Sequence, residues 1–170
     1  MSRFRIALAA LTVAGALSAC GGAGGAVDTA ATNTAAAPAA LQFSAPSVGG
    51  GAIDFTQFAG KPVVLWFWAP TLTTCNREAP SVEAASIRWA GQVQFVGVAW
   101  FGDDDSFQGF IDKHGLTFPQ VSDGAGEVFD RFEIPSQPAF VIIDANGTEQ
   151  QLFGAVDGDV LDGLIADVLP

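Results

Sequence analysis

The sequence predicts an α/β domain in which a mixed sheet, parallel at its core and antiparallel at one edge, is flanked by helices. Three observations predict it. Val63-Val64-Leu65-Trp66-Phe67 is an unbroken apolar run after Pro62, as expected for a strand covered on both faces. A helical periodicity follows, then a second apolar run from Val93 to Trp100; strand, helix, strand at this length reads as a right-handed βαβ unit with parallel strands. Further on, Asp144-Ala145-Asn146-Gly147 separates the runs 139–143 and 149–153, and Asn-Gly between apolar runs signals a hairpin.

The chain opens with Arg3 and Arg5 and a 12-residue apolar run, 6–17. That run is short for a ~30 Å hydrocarbon core and suits a secretory leader. Leu17-Ser18-Ala19-Cys20-Gly21 then resembles the bacterial lipobox, which implies cleavage before Cys20 and a lipid on its thiol. Residues 1–19 are therefore expected to be a lipoprotein signal peptide. Residues 20–40, mostly Gly, Ala, Thr, Asn and Pro, cannot bury enough apolar surface to offset their conformational entropy, and read as a flexible linker spanning on the order of 25 Å. The folded domain is expected over 41–170.

Within it, Leu41 to Phe43 and Ala52 to Phe55 are short strand candidates around Gly49-Gly50-Gly51. The helix after the first long strand should run from Thr73 to Trp89, with Cys75, Ala79, Val82, Ser86 and Trp89 on one stripe and Ala85 beside them. Asp103-Asp104-Asp105-Ser106 opens a second helix that ends at His114-Gly115; acids at its positive end and glycine past its last turn mark its bounds. The three aspartates read as capping, because their adjacency points them to different sides of the chain and no calcium-loop spacing surrounds them. His114, the only histidine, has no partner suggested by sequence and reads as a solvated residue at the helix end. A short strand at 118–121, a short helix at 127–132 and an amphipathic helix over 160–168 complete the domain.

Composition excludes some functions. The formal charge is −11, and loss of the leader with Arg3 and Arg5 takes it to −13. Such a surface repels nucleic acid and anionic head groups. There are two cysteines; with Cys20 acylated, Cys75 is the one remaining thiol and no internal disulfide is possible.

The run Trp66-Phe67-Trp68-Ala69-Pro70-Thr71-Leu72-Thr73-Thr74-Cys75-Asn76-Arg77-Glu78-Ala79-Pro80 resembles the active-site stretch of the TlpA/DsbE-type thioredoxin-like (redoxin) family, whose strand ends in Trp-Ala-Pro-Trp before Cys-x-x-Cys and x-x-Glu-x-Pro. Gly60-Lys61-Pro62, Gly115-Leu116-Thr117-Phe118-Pro119, Ile134-Pro135-Ser136-Gln137-Pro138-Ala139-Phe140 and Ile143-Asp144-Ala145-Asn146-Gly147 resemble further motifs of that family in order, and secreted DsbE-type members look nearest. The resemblance implies a thioredoxin-like fold, a thiol-disulfide oxidoreductase ancestry, a cis-proline at Pro138 facing the motif helix, and no cofactor or metal.

Aligned on that motif, Leu72 stands where the attacking cysteine belongs, and Thr71 where the family has tryptophan. Exchange begins with thiolate attack on a disulfide, which leucine cannot perform. Dithiol catalysis is not expected, and Cys75 is the only candidate catalytic residue. Its place on the apolar stripe raises its pKa, so a structural thiol is the first reading. Glu78, one turn later, is either the family's helix acid or a plain acid near a helix start. What remains is a binding groove at Pro138, Gln137 and Pro70, made apolar by Leu72 and Pro135. The reading is an exported protein, lipid-anchored to the outer face of the bacterial cell membrane, that binds an extracytoplasmic protein or peptide. The alternative is a monothiol oxidoreductase or peroxidase using Cys75.

Overall fold

The structure, a computed structural model, describes residues 36–169. Cys20, the leader and the linker up to residue 35 lie outside the described residues. A 3-10 turn at Ala39–Leu41 precedes β1 (Ser44–Pro46) and β2 (Ala52–Asp54), an antiparallel pair. The expected strand at Leu41 to Phe43 is thus a correction: Leu41 closes the 3-10 turn and is itself buried, and pairing begins three residues later. A second 3-10 turn, Phe55–Phe58, is capped by Asp54, which accepts the Thr56 N–H.

The main elements follow as β3 (Val63–Trp68), α1 (Thr73–Arg88), β4 (Gln94–Ala99), α2 (Asp104–His114), β5 (Gln120–Ser122), α3 (Glu127–Arg131), β6 (Ala139–Ile143), β7 (Glu149–Phe153) and α4 (Gly158–Asp167). The sheet order is β5-β4-β3-β6-β7. β3 pairs with β4, and β4 with β5, in parallel; β6 and β7 continue the sheet antiparallel. The mixed α/β architecture is the one expected from the sequence. The hairpin turn differs in size. Asp144 to Thr148 form a five-residue loop, in which the Asp144 carboxylate accepts the N–H groups of Asn146 and Thr148.

β3 is buried along its whole length because alternate side chains enter two cores. Val63, Leu65 and Phe67 join Phe55, Phe129 and Val141 on one face. Val64, Trp66 and Trp68 join Cys75, Phe110 and Leu161 on the other, under α1, α2 and α4. The α1 stripe is buried at Cys75, Ala79, Val82 and Ala85, whereas Ser86 and Trp89 are only partly covered. Trp89 instead turns its indole N–H to Asp162 of α4, which also pairs with Arg88. α2 begins with a capping box: Asp103 accepts the Ser106 N–H and the Ser106 hydroxyl oxygen accepts the Asp103 N–H. Gly115 ends it in the left-handed region at φ 63°. Among the described residues, no helix is long and apolar enough to cross a membrane.

Candidate functional site

β3 runs out at Trp68, and Ala69-Pro70-Thr71 turns the chain into α1. Leu72 is the N-cap, extended at φ −80° and ψ 124°, with no side-chain oxygen to offer the first turn. Asn76 ties the loop to the helix in another way, through carbonyls rather than the first-turn N–H groups. Its amide Nδ2 donates to the Pro70 and Leu72 carbonyls, both at 2.9 Å, and so pins the motif loop. Its Oδ1 accepts from Lys113 Nζ at 2.7 Å and from His114 Nε2 at 3.1 Å. The reading of His114 as a solvated residue without a partner is thereby corrected. Its ring is part-buried, lies 4.5 Å from the Phe110 ring and touches the motif helix. Burial, and then the Lys113 charge, hold its pKa below the usual imidazole value, so it is neutral at pH 7 with the proton assigned to Nε2.

Cys75 lies three residues after Leu72 and has no solvent exposure. Burial pushes its thiol up to about 11; the Glu78 charge acts the same way, and a backbone N–H from Ala69 partly opposes both. At pH 7 roughly one thiol in 10⁴ is ionised.

Glu78 is not a plain surface acid. It is 5% exposed; one oxygen accepts the Trp66 indole N–H at 2.8 Å and the other accepts the Val156 N–H at 2.6 Å. Burial raises its pKa, against those two hydrogen bonds. It lines a hollow of about 360 Å³ with Thr74, Arg77, Ser81 and Asp157.

On the other side of β3, the Gln137–Pro138 peptide is cis and the Pro138 carbonyl accepts the Gly154 N–H at 2.8 Å. Ala139 pairs with Phe67, so the register one step further sets Pro138 beside Trp68 and Gln137 beside Ala69. Pro138, Gln137 and Pro70 therefore share the sheet end from which α1 starts, and Leu72 is part-buried there against the α1 core. Pro138 is buried and Pro135 exposed. The Gln137 side-chain Nε2 is buried without a hydrogen-bond partner.

Several residues of this site gave no sequence signal. Asn76 is polar beside a motif, and its partners lie 37 and 38 residues away. Gln120, buried at the start of β5, accepts the Trp68 indole N–H at 3.1 Å from 52 residues off. Among the described residues, no group of three His, Cys, Asp or Glu side chains is placed to hold a metal ion. Chemically, the arrangement offers an apolar loop, a proline-lined strand end and one sulfur that is neither ionised nor reachable.

The sequence pattern of the AhpC/TSA family matches residues 36–151. The soluble secreted antigen MPT53 of Mycobacterium tuberculosis is 39% identical over 134 residues, 77% of each chain. The thiol-disulfide oxidoreductase ResA of Oceanobacillus iheyensis is 32% identical over 120 residues, 69% of this chain and 62% of its own. Among solved structures, a secreted Mycobacterium tuberculosis disulfide oxidoreductase homologous to Escherichia coli DsbE superposes with a TM-score of 0.71 at 37% identity, over 75% of this chain and 97% of its own. DsbF of MTB, in mixed oxidised and reduced forms, superposes with a TM-score of 0.74 at 35% identity, covering 78% and 98%.

Proposed function

The chain belongs to the AhpC/TSA family, as a thioredoxin-like member of its thiol-disulfide oxidoreductases, and from that premise we propose that it keeps the family's binding groove without the dithiol chemistry. It binds an extended segment of an extracytoplasmic protein or peptide at the sheet end formed by Pro138, Gln137, Pro70 and Leu72. The observation that carries this reading is Leu72 at the α1 N-cap, three residues before a sulfur with no exposure.

Thiol-disulfide exchange needs an accessible thiolate to attack and a second thiol to resolve the mixed disulfide. A cysteine at the N-cap would gain from the helix dipole and from the unsatisfied N–H groups of the first turn. Leucine supplies no thiol there, and Cys75 is withheld by burial and by a pKa of about 11. The same features weigh against a monothiol peroxidase. Position 72 adds apolar surface to the groove, which favours contact with an apolar side chain of the occupant. Export is supported by the secreted relatives, and anchoring by the lipobox at Cys20.

The test uses the purified full-length protein with insulin as disulfide substrate and a labelled, cysteine-free apolar decapeptide as ligand. The expected result is no insulin reduction, peptide binding unchanged by Cys75→Ser, and binding lost in Leu72→Asp. Insulin reduction that disappears in Cys75→Ser would overturn the proposal.

A further inference from the structure

Resting on the binding reading above, we propose that Asn76 is a positioning residue of the groove. The last two residues of α2 fix its carboxamide, the carboxamide fixes the backbone at Pro70 and Leu72, and affinity for the bound segment depends on this chain of contacts. The loop that carries both residues has few restraints of its own. The Leu72 N–H reaches the Ala69 carbonyl at 3.3 Å, a long bond, and no side chain caps the first turn of α1. Among the described residues, Asn76 is the one side chain that hydrogen-bonds to the backbone of residues 70–72, through the Pro70 and Leu72 carbonyls at 2.9 Å each. Those are the two loop residues assigned to the groove. The Leu72 carbonyl also accepts the Asn76 backbone N–H at 3.0 Å, so both parts of one residue hold the lip at its helix end.

The carboxamide can sit only one way round. Lys113 Nζ carries only hydrogens to donate, so the atom it meets at 2.7 Å is Oδ1. The two carbonyls only accept, so the atom they meet is Nδ2. His114 gives Oδ1 its second donor, through Nε2 at 3.1 Å. Both amide hydrogens and both oxygen lone pairs are then used, and turning the group breaks bonds on both sides at once. The platform behind it is firm. α2 is anchored in the core by Phe107 and Phe110, both buried, with the Phe110 ring stacked on Trp68 at 4.3 Å. Trp68 is the last residue of β3, so α2 and the motif loop are referred to the same end of the sheet. A plain tie between α1 and α2 would need only the acceptor oxygen. The two amide donors add nothing to that tie; what they restrain is the backbone at 70 and 72, the geometry that a bound segment meets.

The test measures binding of the labelled, cysteine-free apolar decapeptide to the full-length protein by fluorescence anisotropy, beside urea unfolding of each variant. Asn76→Asp keeps the size of the side chain and its bonds to α2, and gains a charge pair with Lys113, but turns an oxygen onto two carbonyls. The expected result is an unfolding midpoint unchanged or raised and peptide binding weaker by about tenfold. Lys113→Met should weaken the peptide about two- to fivefold, and should add no further loss in an Asn76→Ala background, because Lys113 acts through Asn76. Binding by Asn76→Asp within about twofold of the unsubstituted protein would overturn this inference, as would a loss of binding that follows a fallen midpoint. So would a Lys113→Met loss of equal size in the Asn76→Ala background. If the unsubstituted protein does not bind the peptide, the groove reading falls and this inference falls with it.

Discussion

Removing the Glu78 carboxylate should cost more than removing an ordinary helix acid, and in a pH-dependent way. Glu78→Ala deletes the acceptor of two donors, the buried Trp66 indole N–H and the part-buried Val156 N–H. Each unsatisfied donor costs about 1–3 kcal/mol, and the adjoining hollow of about 360 Å³ lets water recover part of that, so the loss should be about 2–4 kcal/mol. Glu78→Gln keeps the volume and one acceptor oxygen but turns an NH2 toward a donor. It also removes a desolvated charge, so its net effect at neutral pH should stay within about 1 kcal/mol. The pH dependence has a definite sign. Burial raises the folded-state pKa above the unfolded value, so keeping Glu78 ionised costs the native state free energy at neutral pH. That cost disappears as the pH falls through the raised folded pKa toward the ordinary carboxylate value. Urea unfolding of the unsubstituted protein and of Glu78→Gln, compared at matched pH from neutral down to the ordinary carboxylate value, should show the difference moving in favour of the unsubstituted protein on acidification. A difference that stays flat, or moves the other way, refutes the electrostatic reasoning; a Glu78→Ala loss below about 1 kcal/mol refutes the hydrogen-bond reasoning.

Three further outcomes are expected. Cys75 should react with iodoacetamide far more slowly in the folded protein than in denaturant, followed by mass shift, and with no accompanying peroxidase rate. Gly97→Ala should destabilise by about 1–3 kcal/mol in urea, because its Cβ would meet the Gln120 side chain and lie 2.8 Å from Trp68 Nε1; an unchanged midpoint would show that this contact relaxes freely. Cys20→Ala should release the protein from the membrane fraction or stall its processing, whereas a processed variant that still resists a salt wash would contradict lipid anchoring.

What the sequence showed of the fold is what local pattern encodes. Val63 to Phe67 is apolar on both faces because two cores use it, and that doubling is visible as an unbroken run. The α2 cap at Asp103 and its stop at Gly115 are also local, set within a turn of the helix ends. Legibility ends where the partner is distant. Glu78 reads as either the family's helix acid or a plain acid near a helix start, and Glu83 carries no reading at all, yet both are buried, one on Trp66 and Val156, the other on the Thr117 N–H and hydroxyl. No periodicity of charge distinguishes such a carboxylate from a solvated one. His114 likewise reads as a lone surface residue until α2 is laid across α1 and brings it to Asn76. The motif itself was legible through its spacing, since Leu72 and Cys75 are close in the chain. Its surroundings were legible only in part: Gln137 was named through the resemblance, whereas the pairing of Asn76 with Lys113 joins two helices distant in the chain.

On the proposed reading, this domain carries a thiol-disulfide active site that keeps its shape and lacks one sulfur. Leu72→Cys tests it most directly. The new thiol would sit at the α1 N-cap, three residues before Cys75, the separation of a Cys-x-x-Cys pair. The measurement is the mass of the folded Leu72→Cys protein after mild oxidation and alkylation, read beside its insulin-reduction rate. The expected result is that the introduced thiol and Cys75 escape alkylation as an internal disulfide, and that the variant reduces insulin well above the unsubstituted protein. Two free, alkylated thiols in a domain that remains folded would contradict it, because Cys75 would then not be the second sulfur of this motif.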